Sequence, residues 1–226
     1  MLHITLIRHG NTDENQKRIL QGQKDTLLNE LGHQQAALAR NRLVDDKFDM
    51  IYCSDLLRCR QTAQAIQEHH QEVPIAFLPK LRERSFGDLS GQSLSHLFSE
   101  SQRQQLKVDD FVKAHGGETE PEFAERVIKA YDSLVRESIQ AGYQRILVVT
   151  HGGPLRSLCF WWTSTAGVKY QYFGDRDRLR RGHHGNTGIT KVRILQDNPA
   201  TGIVELFSCS EHLNSIGPIG DIPPSV

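Results

Sequence analysis

The stretch from Leu2 to Gly10 narrows the fold more than any other. Five of the six residues from Leu2 to Ile7 are apolar or β-branched, the pattern of a strand buried in a sheet. The run then stops at Arg8, His9 and Gly10. Open α/β sheets bind their ligands outside the carboxyl ends of the strands. Arginine matches the oxygen geometry of phosphate or carboxylate. Histidine suits nucleophilic or acid–base work near neutral pH, and glycine lets the backbone approach a bound group closely. Taken alone, the triplet is equally compatible with a capped strand end and an arginine paired to a nearby acid.

A second strand makes the packing explanation harder. Arg145–Thr150 is a nearly continuous apolar run, as expected of a central strand covered on both faces, and it ends in His151, Gly152 and Gly153. A helix is predicted from Leu155 to Trp162. A third strand, Phe48 to Cys53, ends in Ser54 and Asp55, either of which is expected to cap a helix running to about His70. Arg58 falls in the first turn of that helix, where the unpaired amides and the dipole favour anions.

Between these strands lie amphipathic helices, from Glu30 to about Asp45 behind an Asn29 cap and from Glu120 or Pro121 to about Ala141. The expected fold is therefore α/β: a three-layer α/β/α sandwich around a mostly parallel sheet. Val73 to Leu78 is expected near an edge because of Pro74. Gly188–Leu195 and Gly202–Cys209 alternate in polarity and should pair antiparallel across Asp197-Asn198-Pro199, giving the sheet an antiparallel edge.

Glu83 sits between Arg82 and Arg84, in a surface ion-pair loop or as an acid placed to donate a proton. Residues 92–120 read as a cap insertion within a single domain spanning 1–226, with a helix over Ser93 to Leu106 and a loop holding His115. Residues 163–185 carry Arg176, Arg178, Arg180 and Arg181, as a solvated loop or a mobile basic flap. The tail with Pro218, Pro223 and Pro224 should be loose.

Equal numbers of basic and acidic residues, 27 each, argue against a nucleic-acid or membrane-surface partner, so anion recognition must come from arginines concentrated locally. Cys53, Cys59, Cys159 and Cys209 form no CxxC pair, and the His183-His184 pair lacks ligand spacing, so neither metal nor cofactor is expected. With no leader-like start and no apolar run of membrane-spanning length, the expectation is a soluble, cytoplasmic protein. Its oligomeric state stays open.

Four blocks occur in order: Arg8-His9-Gly10-x-Thr12-x-x-Asn15, Ser54-Asp55-x-x-Arg58-x-x-Gln61-Thr62, Leu81-x-Glu83-x-x-Phe86-Gly87, and Thr150-His151-Gly152. Together they resemble the histidine phosphatase superfamily, the phosphoglycerate-mutase-like proteins. That resemblance implies phosphoryl transfer through a phosphohistidine. His9 would be the nucleophile, Arg8, Arg58 and His151 the clamp on the phosphoryl group, and Glu83 the proton donor. Asn15 and Gly152 would lie beside the phosphate, and Gln21 and Gly22 would meet the rest of the substrate. Gly116-Gly117-Glu118-Thr119, Asn186-Thr187-Gly188-Ile189 and Glu211-His212-Leu213-Asn214 resemble the TIGAR-like fructose-bisphosphatases. The insertion holds Arg103 alone where mutases usually carry an arginine pair, which favours a phosphatase.

The expected activity is metal-independent hydrolysis of small phosphomonoesters, in particular sugar (bis)phosphates. The alternatives are a phosphoglycerate mutase, a broad-specificity or phosphoprotein phosphatase, and a non-catalytic phospho-ligand binding module.

Overall fold

The computed structural model describes residues 1–164, 169–195 and 198–216. Its strands are β1 (Leu2–Arg8), β2 (Met50–Cys53), β3 (Ile75–Phe77), β4 (Arg145–Thr150), β5 (Lys169–Gln171), β6 (Ile189–Ile194) and β7 (Thr201–Cys209). They form one sheet in the order β3-β2-β4-β1-β6-β7-β5. Strands β3, β2, β4 and β1 run parallel, β6 is antiparallel to both β1 and β7, and β5 lies parallel to β7 at the far edge.

Among the described residues the helices are α1 (Asp13–Gln16), α2 (Glu30–Arg42), α3 (Leu57–Gln67), α4 (Leu94–Arg103), α5 (Val108–Ala114), α6 (Glu120–Gln140), α7 (Gly152–Thr163) and α8 (Arg176–Arg181). Successive strand residues face opposite sides, and both sides of this sheet are covered. Leu2, Ile4 and Leu6 of β1 join Ile146 and Val148 of β4 against Phe123, Val127 and Leu134 of α6 and Leu155 and Leu158 of α7. On the other side, Ile7, Ile51, Leu147 and Val149 pack against Ala39 of α2 and Cys59, Ala63 and Ile66 of α3. This is the three-layer arrangement expected from the sequence.

Register brings the strand ends abreast. Arg8 pairs with Thr150 and Cys53 with Val149. The ladder continues one residue further, with the His9 N–H donating to the Thr150 carbonyl at 3.0 Å and the Ser54 N–H to the Val149 carbonyl at 2.9 Å. His9, Ser54 and His151 thus leave the sheet side by side.

Residues 92–120 fold as two helices, α4 and α5, rather than the single helix expected. Leu97, Phe111 and Val112 form a small core with Leu20, Phe86 and Leu89. Its root is tied to the loop after β1 by an antiparallel bridge between Ile19 and Ser93.

Three expectations need correction. Neither Ser54 nor Asp55 caps α3: its N-cap is Leu56, which has no side chain to offer. Instead Asp25, from a distant loop, accepts the Leu57 N–H at 2.9 Å. Residues 163–185 are not a plain loop. They contain the edge strand β5 and helix α8, which buries Leu179 in the main core and leaves Arg176, Arg178, Arg180 and Arg181 exposed. Short elements without apolar periodicity leave little trace in a sequence. Finally, α7 begins at Gly152, not Leu155. Asp197 and the tail prolines lie outside the described residues.

Candidate active site

His9 is almost fully buried, 2% exposed. Its Nδ1 lies 2.7 Å from the Gly10 carbonyl oxygen. A carbonyl only accepts, so Nδ1 carries the proton and Nε2 keeps its lone pair. Burial pushes the His9 pKa well below its ordinary value, and the neighbouring Arg58 and Arg8 push it further. The ring is therefore neutral at physiological pH, with one nitrogen available to an electrophile.

His151, the N-cap of α7, stands edge-on to His9 with ring centres 5.2 Å apart. Arg58 Nε donates to its Nδ1 at 3.2 Å. The proton is thus on Nε2, which donates to the Ser54 hydroxyl at 2.8 Å. Burial, then Arg58 and His9, keep His151 neutral too.

Two guanidinium groups flank these rings. Arg8 donates from Nη1 to the His184 carbonyl at 2.7 Å, while its buried Nε finds no acceptor among the described residues. Burial lowers the Arg8 pKa to about 10, partly countered by Glu83, so it stays charged. Arg58, 1% exposed, reaches from the first turn of α3. It donates from Nη1 to the Lys24 carbonyl at 2.8 Å and the Thr26 hydroxyl at 3.3 Å, and from Nη2 to the Gly22 carbonyl at 2.9 Å. Nη2 has no second acceptor among the described residues. These two buried cations feel Glu83, and Arg58 also Asp25 and Glu14, and the unpaired Arg8 Nε makes the site one that attracts an oxyanion.

Glu83 joins this cluster from the loop after β3. Its Oε2 accepts the Gly153 N–H at 3.0 Å, and its Oε1 accepts the Arg84 N–H at 2.9 Å. The Arg82 and Arg84 side chains turn elsewhere. Arg82 forms a two-pronged pair with Asp55 at 2.6 and 2.7 Å. Arg84 is buried against Asp109, Glu120 and the Glu118 carbonyl.

The other expected residues divide. Gly152 opens α7 beside His151. Asn15 completes a capping box with Thr12 and accepts from Asn186 Nδ2 at 3.3 Å. Gly22, at φ +52°, takes a left-handed turn that aims its carbonyl at Arg58. Gln21 is buried and accepts from the Thr26 hydroxyl at 2.6 Å. In the structure Gln21 and Gly22 therefore build the loop that holds Arg58. Arg103 pairs with Glu100 on the surface of α4.

Some neighbours were not singled out as site residues in the sequence, although each stands in one of the blocks quoted above. Ser54 orients His151. Asn186 donates to the His9 carbonyl at 3.0 Å and accepts from Asn11 at 3.2 Å. Thr62 accepts the Gly10 N–H at 3.0 Å. Ser54 and Thr62 stand inside the Ser-Asp-x-x-Arg-x-x-Gln-Thr block, and the block was the available clue. No group of three or more His, Cys, Asp or Glu side chains suited to a metal gathers among the described residues.

The model of the histidine phosphatase superfamily, branch 1, matches residues 4–202. The chain belongs to this family. It is 33% identical over 219 residues to a probable phosphatase of Schizosaccharomyces pombe, covering 95% of this chain and 96% of that protein. It is 32% identical over 219 residues to a broad-specificity phosphatase of Saccharomyces cerevisiae, covering 94% and 88%. The match to the fructose-2,6-bisphosphatase TIGAR of Xenopus laevis is tighter but partial, 42% over 98 residues, covering 42% of this chain and 36% of that one. A phosphoglycerate mutase from Bacillus anthracis shares the superfamily fold, with a TM-score of 0.77 at 23% identity over 94% of this chain and 95% of that one. No helix among the described residues is long and apolar enough to cross a membrane.

Proposed function

We propose that the chain hydrolyses small phosphomonoesters in two steps through a phosphohistidine on His9. The observation that carries this reading is the neutral, buried His9 ring, with Nε2 unprotonated, set beside two buried arginines that have N–H groups to spare. Phosphoryl transfer needs positioning and charge neutralisation above all. Arg8, Arg58 and the amide end of α7 supply positive potential where charge is spread over the phosphoryl oxygens, so the scheme calls for no metal.

In the first step the His9 Nε2 lone pair forms the N–P bond as the P–O bond to the leaving alcohol breaks. Glu83 gives that oxygen its proton, a contribution typically of about 10²–10⁴-fold. In the second step water attacks phosphorus, its proton passes to the Glu83 carboxylate, and the bond to His9 breaks. Phosphate leaves and His9 is neutral again.

For substrate range, the relatives aligned over nearly the whole chain are a probable phosphatase and a broad-specificity phosphatase, while the fructose-2,6-bisphosphatase likeness covers under half of it. This favours a general small-molecule phosphatase with sugar (bis)phosphates among its substrates. A single arginine in the insertion, Arg103, fits hydrolysis better than mutase chemistry.

The test is phosphate release in EDTA from fructose-2,6-bisphosphate, fructose-1,6-bisphosphate, 3-phosphoglycerate and p-nitrophenyl phosphate, with an alkaline detergent quench to trap labelled enzyme. Expected are turnover without metal and an acid-labile phosphoenzyme absent from His9→Ala, which should melt like the wild type. Wild-type turnover in His9→Ala would refute the mechanism.

A further inference from the structure

Arg126 stands behind the loop that carries Glu83, outside the pocket. It belongs to α6 and opens onto an outward groove lined by Lys80, Glu122 and Lys129. Every N–H of its guanidinium has an acceptor. Nε and Nη2 donate to the Glu118 carboxylate at 2.6 and 2.8 Å. Nη1 donates to the Lys80 and Arg82 carbonyls, each at 3.1 Å, and Nη2 also to the Glu83 carbonyl at 3.1 Å. Nothing is left to offer a substrate.

Glu118 closes the arrangement. Besides Arg126 it accepts the Ser85 N–H at 2.8 Å, so the pair grips the main chain on both sides of Glu83. Gln23, from the loop that holds Arg58, donates to the same Glu83 carbonyl at 3.2 Å. In front, the Gly153 and Arg84 amides fix the carboxyl oxygens. A planar, fully donating guanidinium is suited to this, because its donors are rigidly spaced and three carbonyls of one loop can be held at once.

We propose that the Arg126–Glu118 pair is the positioning device of the proton donor: it sets where the Glu83 carboxyl stands without touching substrate. This rests on the acid role given to Glu83 above. A carboxyl displaced by about an ångström can lose roughly 10²-fold in rate, and the loss should fall where a proton is needed. An alkoxide leaving group needs one; p-nitrophenolate leaves without help.

The experiment compares kcat/KM of wild type, Arg126→Met, Arg126→Lys, Glu83→Gln and the Arg126→Met/Glu83→Gln double variant. The substrates are p-nitrophenyl phosphate and the alkyl phosphate turned over best, with thermal melts alongside. Arg126→Met should lose roughly 10²-fold on the alkyl ester and far less on the aryl ester. Arg126→Lys keeps the charge but cannot reach all the carbonyls, and should show the same split. In the Glu83→Gln background, loss of Arg126 should cost little more, since one residue acts through the other. Equal losses on both esters, or additive losses in the double variant, would overturn the proposal and leave Arg126 a stabilising residue. If Arg126→Met folds poorly, the same comparison on Arg126→Lys decides. A Glu83→Gln variant with no split between esters would mark a different failure, that of the acid assignment itself, and the positioning role would fall with it.

Discussion

At His9 the chemistry turns on which ring nitrogen holds the proton, and a single main-chain carbonyl decides it. Glu83 is governed just as locally. A Cβ built on Gly153 would lie 2.0 Å from Glu83 Oε1 and 3.1 Å from the Phe123 ring. Glycine is required there because the carboxyl oxygen rests on the space a methyl group would fill. In Gly153→Ala something must move, and the flexible end of Glu83 yields more readily than the ring or the helix. The expected result is a roughly 10²-fold fall in kcat on an alkyl phosphate and a much smaller fall on p-nitrophenyl phosphate, with a melting temperature near that of wild type. Activity assays on both esters, with a thermal melt, check it. A drop in melting temperature with equal kinetic losses would mean the helix moved instead.

At the level of elements, the three strand ends were legible because buried parallel strands read as apolar runs, and a cation or histidine at the end of such a run stands out. Arg8, His9, Arg58, Glu83 and His151 all converge on one pocket. What joins them was not legible. Asn186 reaches the His9 carbonyl and Asn15 from the far end of the chain, and the Asn186-Thr187-Gly188-Ile189 block marked the place without showing which residues it would meet. The α3 cap is a similar case. Ser54 has the right residue type but stands two residues before the Leu56 N-cap, where its hydroxyl meets His151 and the Leu56 N–H, so the cap passes to Asp25, 32 positions from Leu57. Asp25 lies in the same loop as the Gly22 and Lys24 carbonyls that hold Arg58. Asp25→Ala should therefore cost about 1 kcal/mol, as for loss of an ordinary cap, and also raise KM by loosening that loop. Denaturation and steady-state kinetics on one preparation test the coupling; a stability loss with unchanged KM would separate cap from loop.

Across the whole molecule, the site imposes a pH dependence on folding. His9, His151 and His184 are buried and neutral, burial being the largest cause in each, and the His184 pKa falls to about 4. His184 is built into the site, since its carbonyl takes the Arg8 N–H and its ring contacts the Gly182 carbonyl and the Thr190 hydroxyl. In the unfolded chain each imidazole titrates near 6.5. Above that pH neither state binds the proton and the stabilisation is fully present. As pH falls below about 6.5 the unfolded chain takes up protons that the folded chain refuses, and stability declines until the folded values are reached. Each unit of separation is worth about 1.4 kcal/mol per group. Urea denaturation between pH 7.5 and 4.5 should thus show a midpoint that is level at the top of the range and falls steadily below 6.5. The downward slope should be shallower in His184→Gln, which removes one titrating group and keeps a polar side chain in its place. Inorganic phosphate should raise the midpoint by binding the folded state alone, and it should do so with Arg8 present and not in Arg8→Met. A midpoint flat from 7.5 to 4.5 would mean that these rings take up protons in the folded chain as readily as in the unfolded one. A charged His9 has no lone pair to offer phosphorus, so the same titration also bears on the nucleophile.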